Sequence, residues 1–211
     1  MHIVTLPVTF FLALLSLFLF WRSLKEDYLS ENIFRSFFWL FGAGALGAII
    51  LGKAAVGFLA PTAVFSPEGM WFWGAFIAGS LSGFFIAKKL KINPFELFEA
   101  ALPGVYLFVA AFSFVVFSRN NIRFALYHGL FVVFLILVKW LLDGHYRRFF
   151  WYRSGKVGFS ALATSGVYFL TRTVFSWVFP EAALTIGKAD SVLAGVSAFL
   201  ILFVLYNRAS D

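Results

Sequence analysis

The chain has 211 residues, of which 62% are hydrophobic and 13% are charged, and phenylalanine alone occurs 31 times. This composition excludes an ordinary soluble domain and indicates an integral membrane protein. The absence of cysteine excludes disulfides, thiolate metal sites and cysteine nucleophiles. The formal net charge is +7. Because the basic residues lie in short loops between apolar segments, the charge favours contact with anionic lipid headgroups over nucleic acid.

The apolar segments predict an all-α fold, with residues 1–211 forming a single transmembrane domain of seven helices. A helix needs about 20 apolar residues to cross a bilayer. The predicted spans cover residues 3–21, 37–59, 69–87, 95–117, 124–142, 157–179 and 189–206. No Lys or Arg precedes the first span, so we expect it to remain as a membrane helix with its N-terminus outside. The polar segment 22–35 repeats its apolar residues at helical spacing, which predicts a partly interfacial amphipathic helix.

The second and third spans each carry small residues at intervals of four, a pattern that predicts close helix packing in lipid. These residues are Gly44, Ala48 and Gly52 in one span and Ala75, Gly79 and Gly83 in the other. Lys53 follows the first of these stripes and is either a second cation for an anionic headgroup or an ammonium that reaches the interface on its long stem. Trp71, Phe72 and Trp73 begin the third span and are typical of an aromatic belt at the membrane surface.

Polar residues near the starts of later spans have both structural and functional interpretations. Asn93 and Pro94 introduce the fourth span, and the helix dipole favours Glu96 and Glu99 in its first turns; a catalytic carboxylate pair is the alternative. His128, early in the fifth span, is a candidate general base or a hydrogen-bonded interface residue. Asp190 or Ser191 is expected to cap or charge the start of the seventh span.

Arg172 is the most informative residue, because it places a full positive charge inside the sixth span. Insertion of an arginine at bilayer depth costs ~2.5–3.5 kcal/mol, so such a residue usually faces protein or a wet cavity and pairs with an anion. The alternative is a side chain that extends to the nearer headgroup layer. Small residues from Gly158 to Gly166 favour a helix packed within a bundle. Since arginine binds phosphate through a rigid fork of donors, the sequence predicts a phospholipid-binding helix bundle.

The distribution of charge predicts the orientation of the chain. With an external N-terminus, the cytoplasmic loops and C-terminus would hold Arg22, Lys25, Arg35, Lys88, Lys89, Lys91, Arg147, Arg148, Arg153, Lys156 and Arg208, and the outer loops only Arg119, Arg123 and Lys188. This bias follows the positive-inside rule and places Arg172 in the outer half of the membrane. The sequence has no glycine-rich phosphate loop, HExxH, GxSxG or metal-ligand cluster, and it predicts no metal or cofactor.

The order of these pieces resembles the bacterial prolipoprotein diacylglyceryl transferase family. GALGAIILGKAAVGFL resembles its glycine-rich second helix, with Lys53 close to a family arginine, and GKVGFSALATSGVYFLTRTVFSW resembles the helix with its late arginine, matched by Arg172. The family motif His-Gly-Gly falls on Trp73-Gly74-Ala75, and Gln-Leu-Tyr-Glu falls on Ala125-Leu126-Tyr127-His128. The histidine of the first motif and the acid of the second are therefore replaced, the fourth-helix Gly-Arg-x-Gly-Asn signature is absent near residues 112–116, and Ser176 stands for a family glutamate.

The resemblance implies a multi-pass protein of the bacterial inner membrane that moves diacylglycerol from phosphatidylglycerol to the cysteine of a lipoprotein precursor. Arg172 would hold the lipid phosphate or glycerol headgroup, Lys53 would assist, and His128 would act as the base. Tyr127, Trp73 and Gly74 would contribute to substrate binding. Two alternatives remain open at this point: a non-catalytic relative that binds a phospholipid or a membrane partner, and a small transporter with Lys53 and Arg172 along an anion path.

Overall fold

The computed structural model describes residues 2–58, 67–112, 122–146, 149, 152, 154–178 and 188–210. Within these ranges the chain forms seven α-helices and no strand: α1 His2–Leu24, α2 Ser30–Phe58, α3 Pro67–Leu90, α4 Pro94–Phe112, α5 Ile122–His145, α6 Phe159–Val178 and α7 Lys188–Ser210. Among the described residues, four segments are long and apolar enough to cross a membrane: Ser30–Leu51, Pro94–Ala111, Leu126–His145 and Asp190–Ala209. The protein is therefore an all-helical, multi-pass membrane protein.

The helix boundaries differ from the predicted spans mainly at polar segments. Residues 22–24 complete α1 and residues 30–35 begin α2, so the predicted interfacial helix is not a separate element. The reason is that Leu24 and Ile33 are buried in the protein core. Residues 59, 113–117 and 179, at the ends of three predicted spans, lie outside the described residues, as do Arg119, Arg147, Arg148 and Arg153.

The turn between α3 and α4 shows how local sequence sets the helix ends. Lys91 adopts a left-handed conformation with φ 56°. Its N–H donates to the Lys88 carbonyl at 3.3 Å, and the Ile92 N–H donates to the Ala87 carbonyl at 2.9 Å, which is the Schellman arrangement that ends a helix. Asn93 Oδ1 then accepts the Phe95 N–H at 3.0 Å and caps α4. The predicted start of the fourth span is thus confirmed.

Helices α2 and α3 pack antiparallel with almost no space between their backbones. Gly44 faces Gly79, as the two small-residue stripes predict. The two backbones approach each other most closely at Gly47 of α2 and Gly74 of α3. A Cβ atom built on Gly74 would lie 2.3 Å from the Gly47 carbonyl oxygen, closer than any real contact. Only glycine fits at this crossing, so the pair fixes how closely and in which register the two helices pack.

One end of the bundle collects the α1–α2, α3–α4 and α5–α6 connections together with the C-terminal end of α7; we call it the basic end. Tyr28 donates a hydrogen bond to Glu96 at 2.5 Å across the first two connections. Arg208 of α7 donates to the Val157 carbonyl at 2.8 Å, and its guanidinium lies 3.8 Å from the Phe95 ring centroid. The opposite end contains the C-terminal part of α6 and the N-terminal part of α7.

Candidate functional site

Helix α6 presents a row of polar side chains to the protein interior. Ser160, Thr164, Tyr168 and Arg172 follow one another at intervals of four residues, which places them on one helix face. All four are buried, and Arg172 is only 5% exposed. The prediction that Arg172 faces protein is confirmed, and the alternative of a side chain extending to the headgroup layer is wrong. A cation in this position needs an anionic partner.

The partner of Arg172 is Asp190, in the first turn of α7. Arg172 Nε donates to Asp190 Oδ2 at 2.7 Å, and Nη2 donates to Oδ1 at 2.8 Å. The remaining terminal nitrogen, Nη1, donates to the Tyr168 hydroxyl at 3.0 Å. Asp190 is 1% exposed. The two side chains form a bidentate, charge-assisted pair with no net charge, sealed inside the helix bundle.

Aromatic side chains of α3 complete the site. Trp73 Nε1 donates to Asp190 Oδ1 at 2.6 Å, and the Trp73 side chain is 5% exposed. The Phe72 ring centroid lies 3.9 Å from Arg172 Cζ, a cation–π contact. Phe169 stacks on Trp73 with 5.7 Å between ring centroids. The interpretation of Trp73 and Phe72 as an aromatic belt is therefore wrong, because both face the ion pair.

The structure brings some of the predicted site residues together and separates others. His128 is 3% exposed, and its ring centroid lies 5.9 Å from that of Tyr168, the residue that bonds to Arg172. Its neighbour Tyr127 is 56% exposed and lies outside this buried cluster. Gly74 packs against the α2 backbone. The side chains of Lys53 and Ser176 lie outside the described part of the structure.

A second polar cluster lies on α4, α5 and α6, closer to the basic end. Glu99 accepts the Gly158 N–H at 2.9 Å and also the Ser160 hydroxyl. Ser160 makes a further close contact with Asp143, whose other oxygen pairs with Lys139 Nζ at 2.6 Å. Glu99 therefore serves the start of α6, whereas Glu96 accepts a hydrogen bond from Tyr28. These contacts favour a structural role for each glutamate over a catalytic pair.

Sequence reasoning missed the partnership between Asp190 and Arg172. It assigned Asp190 a local role at the start of its own helix, and the observed position in the first turn of α7 is compatible with that role. The available signal was that Asp190 is the sole acidic residue in the seventh predicted span, as Arg172 is the sole basic residue in the sixth. Two opposite charges that each lie alone in neighbouring spans are candidates for a pair.

The chain was compared with known proteins at the level of families, sequences and structures. Models of protein families, curated proteins and solved structures gave no match. Three N–H groups from Arg172 and Trp73 converge on one carboxylate, and all three side chains are buried beside aromatic rings. Such an arrangement binds an oxyanion, and in this structure the oxyanion is Asp190.

Proposed function

We propose that the chain crosses the bacterial cytoplasmic membrane seven times, with its N-terminus outside and its C-terminus in the cytoplasm. The support is the concentration of Lys and Arg at the basic end, including Arg22, Lys25, Lys88, Lys89 and Arg208. Under the positive-inside rule this end faces the cytoplasm. The Arg172–Asp190 site then lies in the outer half of the membrane, near the depth of the external phospholipid headgroups.

Within that orientation we propose that the protein binds an anionic phospholipid, phosphatidylglycerol, through Arg172. The observation that carries the proposal is the bidentate contact between the buried Arg172 fork and a carboxylate. A phosphate offers the same fork two oxygens in nearly the same geometry. Tyr168 and Trp73 supply further polar groups beside it. The resemblance to diacylglyceryl transferases, which use phosphatidylglycerol, points to the same lipid.

Native mass spectrometry of the detergent-purified protein tests this function. We expect the wild type to retain phosphatidylglycerol and Arg172→Gln to lose it. Arg35→Gln is the matched control, because it removes an exposed arginine at the basic end. The double variant Arg172→Gln/Asp190→Asn keeps the site neutral if the single variant is unstable. Equal retention of phosphatidylglycerol by the wild type and by both Arg172 variants would contradict the proposal.

The second candidate function is diacylglyceryl transfer to a lipoprotein precursor, and the position of His128 favours it. The His128 imidazole packs against the Tyr168 ring, and the Tyr168 hydroxyl accepts a hydrogen bond from Arg172. In the reaction, the precursor sulfur would form a bond to the diacylglyceryl carbon while the bond between that carbon and the phosphate oxygen breaks. Glycerol phosphate would leave with the proton of the thiol. His128 would carry that proton from sulfur to phosphate oxygen.

The replacement of the family histidine by Trp73 weighs against transfer, because an indole N–H donates a hydrogen bond and accepts no proton. Phospholipid binding without turnover is accordingly the function that the geometry supports best. Incubation with phosphatidylglycerol and a lipobox peptide separates the two functions. A thioether product that is lost in His128→Gln would establish transfer. No product, beside an active diacylglyceryl transferase as positive control, would leave lipid binding alone.

A further inference from the structure

Asp190 holds the position that a bound phosphate would need. Its two carboxylate oxygens together accept three N–H groups: Nε and Nη2 of Arg172 at 2.7 and 2.8 Å, and Nε1 of Trp73 at 2.6 Å. Both donor side chains are almost fully buried. The donors are therefore already directed at a single point inside the protein, where the geometry suits any compact oxyanion.

The charge of the site allows one oxyanion at a time. Arg172 and Asp190 together are neutral. A phosphate diester carries one negative charge, as the carboxylate does, so exchange leaves the site neutral when the displaced Asp190 carboxylate turns out to the aqueous headgroup region or takes up a proton. Binding of both would leave an uncompensated negative charge in a region of low dielectric constant, which is strongly unfavourable.

The position of Asp190 in α7 adds a second reason for competition. The residue lies in the first turn of a helix of 23 residues, where the backbone N–H groups and the helix dipole favour negative charge. An incoming phosphate would gain the same stabilisation at the same place. The Asp190 carboxylate and the lipid phosphate would thus be stabilised by the same N–H groups and the same helix dipole.

From these observations we infer that Asp190 is an internal competitor of the lipid phosphate, and that the protein closes its own lipid site by pairing Asp190 with Arg172 and Trp73. The ligand is a phosphate diester of an anionic lipid, and it binds when the carboxylate is displaced. The inference rests on the proposed function, since it concerns the regulation of the same site.

Variants that remove the competing carboxylate test the inference. Asp190→Asn and Asp190→Ala are compared with the wild type, and Asp27→Asn, which removes an exposed carboxylate, is the matched control. Short-chain phosphatidylglycerol, phosphatidylcholine and inorganic phosphate are titrated separately while the thermal midpoint is followed. We expect the affinity for phosphatidylglycerol to rise by about tenfold or more in the Asp190 variants, because both remove the negative charge that occupies the three donors. Asp27→Asn and Arg172→Gln/Asp190→Asn should show no gain.

The outcomes separate this inference from the proposed function. If the wild type binds phosphatidylglycerol through Arg172 but Asp190→Asn binds it no better, the inference is overturned and the function stands. If Asp190→Asn binds phosphatidylglycerol and the wild type does not, competition is supported and lipid binding by the resting protein is not. A response to inorganic phosphate that exceeds the response to phosphatidylglycerol would overturn the identification of a lipid ligand.

Unstable Asp190 variants would still give a result. They can be extracted in parallel with detergent containing phosphatidylglycerol or phosphatidylcholine. A phosphate bound at Arg172 stabilises the folded state by mass action, so the inference predicts recovery of folded Asp190→Ala with phosphatidylglycerol only. Equal recovery with both lipids would overturn it.

Discussion

Substitution of Gly74 by alanine gives the sharpest test of the helix packing that supports the site. A Cβ atom at this position would lie 2.3 Å from the Gly47 carbonyl oxygen and 2.8 Å from its carbonyl carbon. An ordinary contact begins at 3.4 Å, so α2 and α3 must separate by about 1 Å. The obstruction is backbone, which cannot rotate aside as a flexible side chain can.

The expected loss follows from two opposing effects. Overpacking of a well-packed interface costs typically about 1–3 kcal/mol. Alanine in a helix is favoured over glycine by about 0.5–1 kcal/mol, which offsets part of that loss. Gly42 provides the control, because a Cβ atom there meets nothing within 4 Å. We therefore expect Gly74→Ala to lower the free energy of unfolding and Gly42→Ala to leave it unchanged or slightly raised.

Unfolding in mixed micelles with increasing dodecyl sulfate, followed by tryptophan fluorescence, measures this difference. The chain contains seven tryptophans, which supply the signal. Equal midpoints for Gly74→Ala and Gly42→Ala would refute the close packing of α2 on α3. A stable Gly74→Ala protein that has lost phosphatidylglycerol would instead assign Gly74 to substrate binding, as the family resemblance implies.

Three further predictions concern individual polar groups. Arg172→Leu or Asp190→Leu alone should destabilise the protein by about 3–5 kcal/mol because each leaves a buried charge unpaired, whereas the double variant should recover most of that loss; additive losses in thermal unfolding would contradict the pairing. Partial burial, and then the hydrogen bond to Glu96, raise the pKa of Tyr28 above its usual 10.0. The neutral Tyr28 phenol therefore contributes fully to the free energy of unfolding below pH 10.0, and this contribution is lost as the pH rises through the raised pKa. We expect unfolding measurements at alkaline pH to show the wild type losing its extra stability over Tyr28→Phe. Tyr106→Phe should be neutral or stabilising by up to about 1 kcal/mol, because the buried Tyr106 hydroxyl lies near Thr164 and Ser165 but makes no hydrogen bond of ordinary length and angle within the described part of the chain. A clear loss of thermal stability would show that one of these two residues is its partner.

The helical fold was accessible from the sequence because the apolar segments are long and their small residues are regularly spaced. The start of α2 was harder to predict from the sequence, because Glu31 and Arg35 indicate a polar surface segment. Ile33 lies between these charged residues and Ser36 directly follows them, and both are fully buried. A helix that is polar on one side and packed on the other resembles an interfacial helix in sequence. Only the position of its neighbours decides between the two.

The sequence was sufficient to predict one member of the buried ion pair but not the other. A charge within an apolar run marks Arg172 by itself, and the cost of burying that charge predicts an anionic partner. Sequence cannot name the partner, because the pair joins two helices across 18 positions and depends on how α6 and α7 rotate about their axes. Trp73 was misread for the same reason: the position of its ring near a helix start is typical of a membrane boundary, and its contact with Asp190 is formed by tertiary packing.

The polar row on α6 explains why the Arg172 fork is fixed in direction. At the basic end of the row, Ser160 is held by Glu99 and Asp143. At the other end, Arg172 is held by Asp190. Rotation of α6 about its axis would break both sets of contacts and leave polar groups facing lipid, which is costly in a bilayer. The Arg172 guanidinium also contacts the Tyr168 hydroxyl and the Phe72 ring, and these contacts persist when Asp190 is displaced. An oxyanion that replaces Asp190 therefore finds the Arg172 donors already partly ordered.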